Sequence, residues 1–417
     1  TISMGKKGII SRMSGQIFGS CLTFASGSKA SAPGQIEVKD LDIFLDIINK
    51  YFQENSKLEK TNIILVGFMV SNIFSQDKEI SYEERRKLSQ LPKFTVEKLV
   101  KGEYFKDMEE YFLDQFPLRD NFRKIKSFIN TNIFKEKDNN DIYIIDESIY
   151  KMEYPLREKS IYNSAILYNK IASIYFKNSN IYYTVVPDKN YFVPKDKGYL
   201  SLDYEKLIDI MKKNTKNMKY IDIIKNLKIN DYYNTDLHWK QEKILPVAEN
   251  LLTDMNNKIP DYKYEERKFD SFYGSYYGQS ATNINPDKLV YLNNKIIEEC
   301  KVYDFEKQEY INVYNDEYFK NVDSYDVYLG GAKPLLSIEN PNNTSGKELY
   351  IFRDSFGSSL APLLISEYSK IILVDLRYIN STEFEKYIKP KEDSDVLFMY
   401  NTLILNNSDI ITKFFRS

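Results

Sequence analysis

A ten-residue stretch, YYNTDLHWKQ at Tyr232–Gln241, contains the only histidine of the chain, His238, and its only tryptophan, Trp239. Histidine is the side chain whose ordinary pKa allows proton transfer near neutral pH. In an extended segment, Asp236 would point to the same side as His238, accept a hydrogen bond from Nδ1 and leave Nε2 free as a base. The same spacing also fits a solitary histidine in a turn, and the spacing alone does not decide between them.

A second stretch, Lys347–Tyr368, places a serine between a predicted strand and a predicted helix. Glu348–Phe352 is a short apolar strand pattern, and apolar residues recur at helical spacing from Ser358 onwards. Ser355 would therefore lie on a tight strand-to-helix turn, which exposes the hydroxyl of a nucleophile and directs helix N–H groups at an oxyanion. The alternative is that Ser355, or the aspartate before it, only caps the helix.

Together, the D-L-H-W and R-D-S-F-G motifs resemble the DHHW family, which is similar to the SGNH-hydrolase-like proteins that O-acetylate alginate and other exported polysaccharides. The resemblance begins near Thr61 and continues to the end of the chain. Five further stretches support it in the family's order: LPKF at Leu91–Phe94, DQFPLRD at Asp114–Asp120, FYGSYYGQ at Phe272–Gln279, VYLGG at Val327–Gly331 and VDLRYI at Val374–Ile379.

The resemblance implies that Asp236, His238 and Ser355 form a catalytic triad. The family's first histidine is Leu237 here, but its acetyltransferase relatives need only D-x-H. The implied function is an extracytoplasmic O-acetyltransferase that modifies a cell-surface or exported polysaccharide through an acetyl-enzyme, with a membrane-bound O-acyltransferase as the acetyl source. Two alternatives stay open: a carbohydrate acetyl esterase with the same triad, and a non-catalytic polysaccharide-binding or assembly protein.

Four other positions are candidates for contact with the substrate. Arg377 and Tyr378 lie in VDLRYI, although an ion pair between Arg377 and the aspartate two positions before it is an equal alternative. Gly274 and Ser275 lie in FYGSYYGQ. The backbone N–H of Ser355, together with that of Gly274 or Ser275, is predicted to line an oxyanion hole.

Composition excludes several other classes of function. Lys and Arg number 58 against 60 Asp and Glu, so no basic excess exists to neutralise phosphates, and nucleic acid is not expected as a partner. One histidine and two distant cysteines, Cys21 and Cys300, cannot make a zinc site or a disulfide framework. The chain contains no glycine-rich nucleotide-binding motif, and we expect neither a metal nor a cofactor.

The N-terminal part divides into two predicted segments. Residues 1–60 are rich in Gly, Ser and Lys up to Gly34, lack the resemblance, and are interpreted as an extension or a fusion remnant, with a short amphipathic helix at Asp40–Phe52. Thr61–Ser75 is apolar and uncharged but shorter than the ~20 residues of a usual bilayer helix. With the resemblance, we predict an uncleaved signal anchor at 61–76 that attaches the protein to the bacterial membrane and leaves the rest outside the cytoplasm.

The remaining chain predicts a helical connector and then one large domain. Residues 77–140 are charged and helical in pattern, and the run EERRK at Glu83–Lys87 is interpreted as a solvated face. From residue 141, strand and helix patterns alternate, which predicts an α/β, SGNH-hydrolase-like layered fold with a mostly parallel central sheet. Its turn-rich part, around 269–341, is interpreted as an insertion. In such sheets, sites lie at the carboxyl ends of strands, where Pro187–Asn190, Ser355 and Asn401 would all fall.

Overall fold

The computed structural model describes residues 75–415. The predicted extension at 1–60, its helix at Asp40–Phe52 and all but the last residues of the predicted anchor at 61–76 therefore lie outside the described residues. Within residues 75–415, no helix is both long enough and apolar enough to cross a bilayer.

The strands of the described residues are numbered here in chain order. They are β1 Ile80–Ser81, β2 Arg86–Lys87, β3 Ile142–Ile145, β4 Ser148–Lys151, β5 Asn180–Val186, β6 Lys219–Tyr220, β7 Glu265–Phe272, β8 Asp287–Asn293, β9 Lys301–Asp304, β10 Glu309–Ile311, β11 Leu335–Glu339, β12 Glu348–Arg353, β13 Lys370–Val374 and β14 Asp395–Asn401.

The α-helices are numbered in the same way. They are α1 Val96–Val100, α2 Glu103–Asp114, α3 Arg119–Phe128, α4 Glu158–Tyr175, α5 Tyr204–Asn214, α6 Leu245–Asp254, α7 Ser275–Ser280, α8 Lys295–Glu299, α9 Phe356–Leu364, α10 Ser381–Tyr387 and α11 Thr402–Asn406.

A central eight-stranded sheet has the order β10-β9-β11-β13-β12-β14-β5-β6. The five strands from β13 to β6 pair in parallel, whereas β11, β9 and β10 extend one edge with antiparallel pairings. Every residue of β14 is buried. Continuous burial is expected of a parallel strand whose two faces are both covered by helices.

Apolar side chains form a separate core on each face of this sheet. One core joins α6 and α9 to strand residues such as Ile351 and Met399. The other joins α4, α5 and α10 to residues such as Phe352 and Phe398. Neighbouring residues of β12 and β14 thus face opposite layers, as the strand period of two requires. The predicted α/β fold with layered helices and a mostly parallel sheet is confirmed at this level.

The segment around 269–341 contributes strands to the central sheet, and its interpretation as an insertion stays a prediction. Its strands β9, β10 and β11 belong to the central sheet, whereas the β7–β8 hairpin forms a separate two-stranded sheet, as β1–β2 and β3–β4 also do. The antiparallel strands are short and separated by turns, so their sequences do not show the long apolar runs of the parallel strands. The sequence pattern of this segment is rich in turns and therefore did not predict that its strands belong to the central sheet.

The region before the α/β domain is helical only in part. Helices α1 to α3 lie in this region, but Ile80–Lys87 forms a short antiparallel hairpin, β1–β2. The interpretation of Glu83–Lys87 as a solvated face is wrong for Arg85, whose side chain is 7% exposed. Arg85 is buried because it lies between two aspartates of the candidate site, described below.

Candidate active site

Ser355 lies in the turn between β12 and α9, at the carboxyl end of a central parallel strand. Its side chain does not cap α9. The Asp354 carboxylate serves the turn instead, since Oδ1 accepts the Phe356 N–H at 3.0 Å and Oδ2 accepts the Asn401 N–H at 2.7 Å. The capping alternative therefore applies to Asp354 and leaves the Ser355 hydroxyl free for another partner.

His238 lies in the loop Tyr232–Lys240, called the histidine loop here, which has almost no regular secondary structure. Tyr232 and Trp239 pair in a single antiparallel bridge, and the Tyr233 N–H donates to the His238 carbonyl at 3.0 Å. Asp236 Oδ1 accepts the His238 backbone N–H at 2.9 Å and lies 2.6 Å from His238 Nδ1. The carboxylate thus fixes both the backbone and the ring of the histidine.

The histidine and the serine are in direct hydrogen-bond contact. His238 Nε2 lies 2.7 Å from Ser355 Oγ, although the residues are 117 positions apart in the chain. Asp236 and His238 are buried, and Ser355 is partly exposed. The structure therefore brings the three predicted residues together in the order carboxylate, imidazole, hydroxyl, which is the arrangement that lets a serine act as a nucleophile.

Electrostatics keep the Asp236 carboxylate ionised. Burial alone would raise its pKa, but the charge and hydrogen bond of His238 outweigh burial, with further help from Arg85 and the Ser275 N–H, and the pKa lies well below its usual range. An ionised carboxylate in hydrogen-bond contact with an imidazole stabilises the protonated form of the ring.

An aromatic ring and a second serine fix the imidazole against the helix that follows the nucleophile. The Tyr325 ring stacks on His238 with centroids 4.0 Å apart and planes within 10°. Its hydroxyl donates to Ser359 Oγ at 2.8 Å, and Trp239 Nε1 donates to the same oxygen at 2.9 Å. Ser359 of α9 therefore sets the position of the histidine loop relative to Ser355.

Two buried ionisable side chains, Lys189 and Asp287, form hydrogen bonds to the backbone of the histidine loop. Lys189 Nζ donates to the carbonyls of Ile149 at 2.5 Å, Tyr233 at 2.8 Å and Asn234 at 3.1 Å. Asp287 accepts the N–H groups of Asn234 and Thr235 and the Thr235 hydroxyl. Burial lowers the pKa of Lys189 to about 7. The loop thus obtains from side chains the hydrogen bonds that a helix or sheet would supply.

The oxyanion-hole prediction for Gly274 and Ser275 is corrected by their hydrogen bonds. The Gly274 N–H donates to Thr235 Oγ1 at 2.9 Å, and the Ser275 N–H donates to Asp236 Oδ2 at 2.6 Å. The Gly274 N–H therefore supports Thr235, the Ser275 N–H supports Asp236, and neither is available to an oxyanion. A Cβ on Gly274 would lie 2.2 Å from the Asp236 Cβ, so glycine is needed for this close approach. Any contact of Gly274 or Ser275 with substrate stays a prediction.

Arg377 forms the ion pair that the sequence left as an alternative. Its Nε and Nη2 donate to the two Asp375 carboxylate oxygens at 2.9 and 2.6 Å. Tyr378 is 55% exposed and lies beside it, with the Arg377 guanidinium 5.0 Å from the ring centroid. A bidentate pair with Asp375 gives Arg377 a structural role, and substrate contact by either residue stays a prediction.

Residues 75–415 contain no group of three or more His, Cys, Asp or Glu side chains that could hold a metal ion. Cys300 is a buried free thiol. The candidate site itself presents the hydroxyl of Ser355, the imidazole of His238 and the ionised carboxylate of Asp236.

Several residues that shape the site were missed by sequence reasoning. Lys189 lies in Pro187–Asn190, which the sequence placed at the carboxyl end of a strand without indicating its contacts with the histidine loop, and Asp287 lies in no recognisable motif. Tyr325 and Arg85 are each in a stretch that was interpreted otherwise, as part of an insertion and of a solvated face. The PDKN run at the end of β5 was a weak signal for Lys189, because charged residues at a strand's carboxyl end are commonly part of a site.

Two comparisons relate residues 1–51 to a different enzyme. This segment matches the model of the type I 3-dehydroquinase family. It is 56% identical over 50 residues to a 3-dehydroquinate dehydratase of Clostridium botulinum and 52% identical over 52 residues to that of Listeria welshimeri, in each case 12% of this chain. The chain spans about a fifth of the length of these relatives, at 20% and 21%. That the segment is an extension or a fusion remnant stays a prediction.

The fold of about two thirds of the chain is similar to that of solved structures. A DHHW family protein from Eubacterium siraeum gives a TM-score of 0.54 at 22% identity, over 67% of this chain and 97% of that one. Bacillus cereus PatB1 with a sulfonyl adduct gives 0.53 at 18% identity, over 66% of this chain and 100% of that one. The resemblance to the DHHW family, first indicated by D-L-H-W and R-D-S-F-G, is confirmed at the level of the fold.

Proposed function

We propose that this protein is a serine-dependent O-acetyltransferase that acts on a cell-surface or exported polysaccharide. The observation that supports it most is the continuous chain of contacts from Ser355 Oγ through His238 to Asp236, at 2.7 and 2.6 Å. The motif resemblance adds the substrate class.

The reaction proceeds in two acyl transfers. Ser355 Oγ attacks the acetyl carbonyl carbon while His238 Nε2 takes the hydroxyl proton, and collapse of the tetrahedral intermediate returns that proton to the leaving group. The acetyl-serine is then attacked by a sugar hydroxyl, whose proton passes to His238 and finally back to Ser355. Asp236 stays ionised throughout. The Ser355 N–H, at the start of α9, is our candidate oxyanion donor.

The cellular setting is part of the same proposal. An anchor at 61–76 would attach the domain to the membrane and leave it outside the cytoplasm, where exported polysaccharide is found. A membrane-bound O-acyltransferase would then supply acetyl groups. Protease treatment of intact cells tests the location: an accessible α/β domain supports it, and a fully protected domain would exclude an extracytoplasmic enzyme.

An acetyl esterase is the second candidate, because the same three groups can pass the acetyl group to water. Ser355 is partly exposed, so water could reach the acetyl-enzyme. A binding or assembly protein is the third candidate, and it predicts no acetyl turnover at all.

The deciding experiment measures both products from one acetyl donor. The full chain is mixed with an activated acetyl ester, with and without oligosaccharide acceptors, and free acetate and acetylated sugar are quantified by mass spectrometry. A transferase forms acetylated sugar at the expense of acetate. An esterase releases acetate at the same rate in both conditions, which would contradict the transferase proposal.

A matched pair of serine variants separates the candidate nucleophile from general damage. Ser355→Ala is expected to abolish both products. Ser366→Ala removes a hydroxyl from the short helical turn that follows α9, away from the site, and is expected to retain activity. Full activity in Ser355→Ala would show that the nucleophile is another residue.

A further inference from the structure

We infer that Arg85, carried by the β1–β2 hairpin ahead of the α/β domain, is a positioning residue that completes the candidate active site. The inference rests on the proposed function only for its effect on turnover. Its geometric content, that Arg85 holds Asp236 and the residues stacked on His238, can be tested without any activity.

Arg85 reaches both sides of the histidine loop. Its Nη1 donates to Asp323 Oδ1 at 2.8 Å and lies 3.7 Å from Asp236 Oδ2. The guanidinium also lies over the Phe272 ring, 5.0 Å from its centroid. With a side chain only 7% exposed, Arg85 is a buried charge, and buried charges are tolerated where partners compensate for their lost hydration.

Asp323, the second partner of Arg85, is connected to the His238 imidazole through Tyr325. Asp323 Oδ1 also accepts the Tyr325 backbone N–H at 2.9 Å, at the start of the short 3-10 helix Ser324–Val327. Tyr325 is the ring that stacks on His238. One guanidinium therefore approaches the carboxylate that orients the histidine and holds the turn that presents its stacking partner.

The hairpin that carries Arg85 is fixed to the helices that follow it in the chain. Arg86 forms a two-contact ion pair with Asp114 at 2.7 and 2.5 Å. Glu84 receives Arg119 at 2.5 Å and Arg123 at 3.3 Å. Glu84 and Arg86, which belong to the charged run EERRK, therefore fix the hairpin and with it the position of Arg85.

The hairpin is also in close backbone contact with the α/β domain. Arg123 of α3, which pairs with Glu84 of the hairpin, donates from Nη2 to the Gly278 carbonyl at 2.6 Å. A Cβ on Gly278 would lie only 1.9 Å from the Glu83 carbonyl oxygen. Gly278 belongs to α7, the helix that begins at Ser275, whose N–H donates to Asp236. The short helix α7 therefore contacts the hairpin through Gly278 and supports Asp236 through the Ser275 N–H.

The charges around the site determine what loss of Arg85 should do. The acids near it are Asp236, Asp323 and Asp326, and burial raises the pKa of Asp326 to about 7 while Arg85 opposes this rise. On the other side of the loop lie Lys189 and Asp287. Removing Arg85 leaves these acids with less positive charge, so protonation of the nearby imidazole becomes easier and should occur at higher pH.

The first test follows the titration of the single histidine by NMR in a Ser355→Ala background, with histidine-ring labelling and no affinity tag. Because the chain has one histidine, its ring signals need no assignment. Adding Arg85→Ala should move the titration midpoint to higher pH, and Arg85→Lys should restore part of the shift. Lys87→Ala, an exposed change on the same hairpin, should leave the midpoint unchanged.

The second test measures turnover of an activated acetyl ester by the full chain with Ser355 intact. Arg85→Ala is expected to lower kcat by about 10- to 100-fold with little change in KM, because a small displacement of Asp236 and His238 spoils the reacting geometry. The acidic limb of its pH–rate profile should move to higher pH. Lys87→Ala again serves as the control.

A backbone variant tests the same inference while leaving Arg85 in place. Gly278→Ala forces the hairpin away from α7 and should reproduce the shift and the rate loss. It also provides the test if Arg85→Ala does not fold. Unchanged titration and unchanged rate in Arg85→Ala and Gly278→Ala would overturn the inference. If Arg85→Ala shifts the titration of His238 but the wild type turns over no acetyl ester, Arg85 is supported as a positioning residue and the proposed function is contradicted.

Discussion

The two halves of the candidate site are positioned in different ways. Ser355 lies on a turn between β12 and α9, a regular strand–helix unit in which every residue of α9 is buried. His238 lies on a loop held by side chains from distant parts of the chain, among them Lys189, Asp287 and Arg85. The position of the candidate nucleophile thus depends on secondary structure and apolar packing, whereas that of the candidate base depends on buried polar and charged side chains.

This difference indicates where the site is most vulnerable. A turn fixed by a strand and a helix tolerates the loss of one hydrogen bond, because packing still determines its path. A loop fixed by a few buried charges does not, since each lost partner leaves a polar group unsatisfied. We therefore expect substitutions that support His238 to cost more activity than equivalent substitutions that support Ser355.

The largest effect is expected where the two halves meet. Ser355→Ala and His238→Ala should each lower turnover of an activated acetyl ester by on the order of 10³–10⁶, because the groups act as a unit. Their combination should cost little more than either alone. Additive losses in the double variant would show that the hydroxyl and the imidazole do not act in one step.

The next largest effect is expected at Asp236. Asp236→Asn keeps the size of the side chain but favours the wrong imidazole tautomer, with an expected loss of up to ~10⁴ in kcat. The free energy of unfolding, measured by urea denaturation, shows whether the fold survives. A loss of less than about tenfold would mean that the carboxylate is not needed to orient His238.

Lys189→Met tests the charged support of the loop. The change leaves carbonyls of Ile149, Tyr233 and Asn234 without their donor, so we expect the free energy of unfolding to fall by about 1–3 kcal/mol and kcat to fall with it. Unchanged stability and rate would show that the loop holds its shape without this amine.

The same residue gives a pH dependence with a defined sign. Burial lowers the pKa of Lys189 to about 7, whereas an unfolded lysine titrates near ~10.4. Between these values the unfolded state binds more protons, so the free energy of unfolding rises with pH. The stability of the wild type relative to Lys189→Met should therefore increase between about pH 7 and 10. A flat or falling difference would contradict a depressed pKa.

The smallest effect is expected at the serine turn. Asp354→Asn weakens the acceptor of the Phe356 and Asn401 N–H groups, but β12 and α9 still define the turn, so we expect a loss of kcat below about tenfold. The same ester assay provides the measurement. If Asp354→Asn costs more activity than Lys189→Met, the proposed contrast between the two halves is reversed.

The sequence predicted best what depends on local patterns. The apolar run before Ser355 predicted β12 with its observed start and an end one residue short, and the helical period after Ser355 predicted α9 with a start two positions late, at Ser358 instead of Phe356. The D-x-H spacing indicated the contact between Asp236 and His238. These features arise from neighbours in the chain, so a single sequence contains them.

The features that were missed depend on contacts between distant segments. Nothing local in EERRK distinguishes the buried Arg85 from its more exposed neighbours, because its partners Asp236 and Asp323 lie far along the chain. The N–H groups of Gly274 and Ser275 were assigned to an oxyanion, since their hydrogen bonds to the histidine loop could not be seen in the sequence. Long-range polar contacts therefore set the limit of the sequence prediction here.

The central claim is that Ser355 becomes acylated, and intact-protein and peptide mass spectrometry test it most directly. The full chain is treated with an activated acetyl ester or a sulfonyl fluoride, quenched with acid and digested. We predict one acetyl or sulfonyl group on the peptide that contains Ser355, and none on that peptide in His238→Ala treated for the same time. A label on another residue, or equal labelling of Ser355 in His238→Ala, would contradict the account.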